Sequence, residues 1–187
     1  MNLLNWLKGK LDAKKERTLV DRFSFHLNRC CGILREADDF CTSEDEYDLY
    51  AIAYVVSDFA VAVAGKYREK TSDIILDFLL DELENRYPEK SLIEFRDRID
   101  FYSSVIRGIP LHAHCLPGVD LSDANPITCC AIAFCDCLVN PMYIDDYNDY
   151  YPPLFDALEI FHISSEVMLP LNQELAALHN DIYTYAL

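Results

Sequence analysis

The sequence predicts an all-α protein: a single helical bundle of about six helices over residues 16–187, preceded by a short amphipathic segment at residues 1–15. Three observations predict it. Apolar residues recur with a 3.6-residue period over most of the chain. Glycine is scarce, five in 187 residues, and the Asn-Gly and Asp-Gly pairs that join strands are absent. Half of the chain, 51%, is hydrophobic, which at this length suffices for one full core.

Two helices, at about 44–65 and 126–139, are expected at the centre, because each is apolar nearly all round. In the first, Leu49 to Ala64 is interrupted only by Ser57 and Asp58. Ser43 and Glu46 have the spacing of a capping box, and Gly65 with Lys66 and Arg68 marks the end. The valines would suit a strand, but the run is too long for one. Ala53, Ser57, Ala60 and Ala64 form a small-residue stripe along which another helix can approach. A membrane crossing needs roughly 20 apolar residues. The run is shorter and carries Asp58 near its middle, so the expectation is a core helix and no transmembrane span.

The other elements follow in order. Leu3, Leu4, Leu7 and Leu11 share a face opposite Lys8 and Lys10, as in a terminal helix docked on the bundle. Peripheral membrane contact through residues 1–11 is the competing role, opposed by Gly9 and by the acidity of the whole chain. From Glu16 to Asp38 the core face is Leu19, Phe23, His26, Leu27, Cys30, Ile33, Leu34 and Ala37. His26 on that face reads as a satisfied core histidine. From Thr71 to Arg86 the inward residues are Ile74, Ile75, Phe78, Leu79 and Leu83. Ser91 and Glu94 repeat the capping-box spacing, and the helix to Arg107 turns Leu92, Phe95, Ile99, Tyr102 and Ile106 inward. Residues 108–125 form the longest predicted loop. Asn125 caps the next helix, with Pro126 at its first position. The last helix runs from Pro153, with Leu154, Leu158, Phe161 and Met168, then Leu171, Leu175, Leu178 and Ile182. The phase slips by about one residue at Pro170, which predicts a kink or break there.

The net charge of −16 is unevenly placed. Residues 1–37 carry eight Lys or Arg against four acids, whereas no Lys or Arg follows Arg107 and eleven Asp or Glu lie between Asp120 and Asp181. Such a field opposes direct nucleic-acid binding and attracts a basic protein surface. The eight cysteines mostly fall in apolar helical stretches, and residues 1–15 lack the apolar core of a secretion signal. They read as reduced core residues of a cytoplasmic protein.

Candidate chemistry is sparse. Asp58 and Asp136 interrupt the two apolar helices and must be paired, hydrogen-bonded or protonated. Glu159 and His162 form one Glu-x-x-His pair with Glu166 a turn on, and His112 and His114 sit in the long loop. A di-iron bundle uses two such pairs. No serine-nucleophile elbow and no phosphate-binding glycine loop occurs, and no cofactor is implied. Tyr143, Asp145, Asp146, Tyr147, Asp149, Tyr150 and Tyr151 instead place rings beside carboxylates, a composition suited to Arg and Lys on a partner. The leading expectation is a non-enzymatic acidic interaction protein, an inhibitor or masking factor for a basic partner such as a nucleic-acid-handling enzyme or toxin. The alternative is a metal-dependent bundle enzyme built on Glu159, His162, Glu166, His112 and His114.

Overall fold

The computed structural model describes residues 3–37, 43–107, 125–139 and 164–187. Among the described residues there are six α-helices and no strand, which is the all-α bundle the periodicity predicts. They are α1 (Leu3–Glu36), α2 (Ser43–Ala64), α3 (Arg68–Arg86), α4 (Leu92–Ile106), α5 (Pro126–Val139) and α6 (Leu169–Tyr185). A π-helical turn, Ser164–Met168, leads directly into α6.

Helix α2 packs against all five others, as its apolar circumference requires. Its stretch Asp45–Ala64 is long and apolar enough to cross a membrane by length and composition, but 67% of its most apolar window is buried inside the bundle. Enclosure by the other helices accounts for that apolarity. Ala53, Ser57 and Ala60 of the small-residue stripe are fully buried. The Ser57 hydroxyl donates back to the Ala53 carbonyl, so it adds no unsatisfied group to the core. Helix α5 packs against α2, α4 and α6, and the most extensive packing of α6 is against α1 and α2.

The start and stop signals work largely as the residue types dictate. Asn125 Oδ1 accepts from the Thr128 amide at 2.9 Å, and Ser91 Oγ accepts from the Glu94 amide at 3.1 Å. Gly65 follows α2 with φ of +61°, the left-handed position that ends a helix most cheaply with glycine. Glu46, expected to cap with Ser43, whose side chain lies outside the described set, has partners outside α2. Its two oxygens take bonds from Arg35 of α1 and from the Tyr87 hydroxyl beyond α3, so it ties three parts of the chain together.

Four expectations change in the structure. The separate N-terminal helix and the helix from Glu16 are one 34-residue helix, because Gly9 lowers helix propensity by only about 1 kcal/mol and does not stop it. Leu11, expected on the docked face, is exposed. In α4 the buried residues are Phe95, Phe101, Tyr102 and Val105, whereas Leu92 is 65% exposed and Ile99 and Ile106 are half-buried. The helix is turned so that the larger Phe101 ring takes the core position and Arg98 reaches Asp48 on α2. In α3, Ile74 and Phe78 flank the core rather than fill it, and Phe78 meets Phe23 edge-on at 5.9 Å.

Candidate functional site

Most of the residues singled out from the sequence lie outside the described residues. These are Tyr143, Asp145, Asp146, Tyr147, Asp149, Tyr150 and Tyr151, together with Glu159, His162, His112 and His114. Glu166 is exposed on the π-helical turn. No group of three His, Cys, Asp or Glu among the described residues is placed to hold a metal. The Asp136 side chain is likewise outside the described set.

Asp58 is described, and its partners are local. Arg68 at the start of α3 forks onto both carboxylate oxygens, and Ser72 Oγ donates at 2.7 Å. Burial pushes the Asp58 carboxyl up, but the Arg68 and Ser72 bonds outweigh it and hold the group below the usual carboxylate range. The side chain joins the end of α2 to the first turn of α3, a structural task.

His26 is satisfied, by groups the sequence reading did not name. Its Nδ1 lies 2.6 Å from Glu174 and its Nε2 3.1 Å from Asp181, both on α6. Arg29 Nε donates to the other Glu174 oxygen at 2.8 Å, and Arg22 reaches Asp181 at 3.5 Å. Arg22, His26 and Arg29 thus form a ladder on α1 against two carboxylates one heptad apart on α6. Glu174 is 7% exposed between Leu171 and Leu178. An acid on an otherwise apolar face was the available signal, and it pointed to a buried ion pair. Arg98 and Asp48 are a second buried pair, 3.2 Å apart, between α4 and α2. Both arrangements hold helices in register.

The described surface offers one feature of another kind. A cleft of about 440 Å³ opens where α3 ends and α4 begins, floored by Leu80 and Leu83 and walled by Tyr47, Tyr87 and Pro88. The Tyr47 hydroxyl donates to the Ser91 carbonyl and the Tyr87 hydroxyl to Glu46, each at 2.8 Å. Burial pushes both phenols well up, so both stay protonated near neutral pH. Lys90 lies over the Tyr47 ring, 5.7 Å from its centre. Burial likewise pushes the Cys30 and Cys130 thiols up, which leaves them poor nucleophiles.

Along the exposed face of α3, Glu69, Asp73, Asp77 and Asp81 stand four residues apart, and Glu84 continues the line onto the cleft wall. Like charges at this spacing oppose the helix by roughly 0.2–0.5 kcal/mol per pair. The cations of α3 are engaged elsewhere: Arg68 with Asp58, Lys70 with Glu16, Arg86 with Glu82. The result is an acidic ridge without ion pairs among the described residues. Comparisons with protein-family models, curated proteins and solved structures find no match to this chain.

Proposed function

We propose that this protein is an acidic interaction protein that binds a basic partner and masks its cationic surface, rather than an enzyme. A nucleic-acid-handling enzyme or a toxin fits that description of the partner, because carboxylates can occupy the positions where phosphates would sit. One observation carries the reading: an excess of 16 negative charges, with every Lys and Arg confined to residues 1–107. The acidic ridge on α3 supports it, since its carboxylates are left unneutralised at a cost to the helix. The segment proposed to meet the partner is Tyr143, Asp145, Asp146, Tyr147, Asp149, Tyr150 and Tyr151. There the rings supply contact area at low entropic cost, and the carboxylates pair with Arg and Lys. A pull-down with the whole protein tests this segment. Reversal of Asp145, Asp146 and Asp149 to Lys is expected to weaken recovery of basic partners by about tenfold or more, as for a cluster of interface hot spots. Unchanged recovery would remove this segment from the interface.

A further inference from the structure

We infer that the cleft between α3 and α4 is the docking site for a basic amphipathic helix of the partner, which inserts an apolar side chain there and lays its cations along α3. This rests on the acidic-interaction reading and gives it a place on the described surface. The cleft has an apolar floor in Leu80 and Leu83. Its volume of about 440 Å³ falls within the range of roughly 300–1,000 Å³ typical of ligand clefts. Leu92 and Ile93, at 65% and 74% exposed, stand beside it on the first turn of α4. Two adjacent large apolar side chains left in water next to an apolar cleft form a patch suited to a partner.

Charge selects the occupant. Glu84 lines the cleft, Glu89 is exposed in the turn between Pro88 and Lys90, and Glu94 is exposed in the first turn of α4. Against these three stand Lys90, held on the Tyr47 ring, and Arg96, exposed one turn after Leu92 and Ile93. A second copy of this chain, itself at −16, is repelled. The acids of α3 recur every four residues, a rise of about 6 Å. A helix with Lys or Arg at the same interval matches them, and its apolar stripe then faces Leu80, Leu92 and Ile93. Asp77, Leu80, Asp81 and Glu84 are surface neighbours on α3, so apolar and ionic contacts meet at one place.

The test uses the full chain and a fluorescent amphipathic leucine–lysine helical peptide, followed by anisotropy at low salt. An oligolysine of equal charge is the comparison. Binding of the leucine–lysine peptide is expected to fall about tenfold with Leu92→Ser/Ile93→Ser and with Asp77→Lys/Asp81→Lys. The same charge change at Asp21→Lys/Glu36→Lys, on α1, is expected to have a much smaller effect. The serine pair is expected to leave oligolysine binding unchanged. All these sites except Leu92 and Ile93 carry exposed charges, and Leu92 and Ile93 are themselves exposed, so the variants retain the core. Equal losses at α1 and α3, or no loss with the serine pair, would overturn the docking site while leaving the acidic-interaction reading intact. Failure of both peptides to bind the unmodified protein would overturn both.

Discussion

Asp58 shows how a charge is accommodated at an apolar helix. Its folded-state carboxyl is held below the ordinary value by Arg68 and Ser72 against the opposing effect of burial. A depressed carboxyl stabilises the fold fully above its unfolded value, about 3.9. As pH falls through that value and on through the folded one, the unfolded chain binds the proton first and the stabilisation is lost. Asp58→Asn is therefore expected to lower stability by about 1–2 kcal/mol near neutral pH, since Arg68 is partly solvated. The gap between the two proteins should close on acidification. Urea midpoints of both between neutral pH and pH 3 check this, and a gap that widens in acid would refute the assignment. The need for a partner at Asp58 could be read from the sequence, because a lone carboxylate in an apolar run is costly. Which partner it takes could not, since Arg68 lies beyond a turn whose direction the side-chain pattern does not encode.

At the scale of elements, local chemistry was legible and orientation less so. Asn125 and Ser91 cap as their types require, and α5 has the bounds that Pro126 and the apolar run imply. Near Pro170 a π-helical turn at Ser164–Met168 leads into α6, which carries Pro170 in its first turn; Leu154, Leu158 and Phe161, against which the slip of phase is defined, lie outside the described residues. The facing of α4 was legible in part: Phe95 and Tyr102 are buried and Ile99 and Ile106 pack against the core as expected, whereas Leu92 is exposed and Phe101 and Val105 are buried instead. Leu92 and Phe101 compete for the core within one apolar pattern, and only the packing of Arg98 on Asp48 and of Phe101 in the core decides between them. Gly65 gives a test at this scale. Nothing lies within 4 Å of a Cβ built there, so the only cost of a side chain is the left-handed backbone. Gly65→Ala is expected to cost about 1 kcal/mol, and Gly65→Asn less, because asparagine tolerates that conformation. Thermal unfolding of the two variants measures the difference, and equal losses would mean that something other than φ sets the cost.

For the whole molecule, charge and core are arranged by different rules. The core is a helical bundle closed around α2, with ion pairs between α1 and α6 and between α2 and α4. Arg22, Arg35 and Arg68 each pair with an acid of a neighbouring helix, which leaves the remaining surface acids in excess. The excess and its uneven placement were already plain in the sequence. The cleft was not, because it depends on how the turn after α3 sets α4 against α2. The measurement closest to the central claim is the affinity of the purified protein for a recovered basic partner over a series of salt concentrations. An interface built on carboxylates and Lys or Arg predicts affinity falling steeply as salt rises from about 0.05 to 0.5 M, where the screening length shrinks below about 10 Å. The slope should become shallower when Asp145, Asp146 and Asp149 are reversed to Lys. Affinity that stays constant across that range would contradict the account and point to an interface held by apolar burial alone.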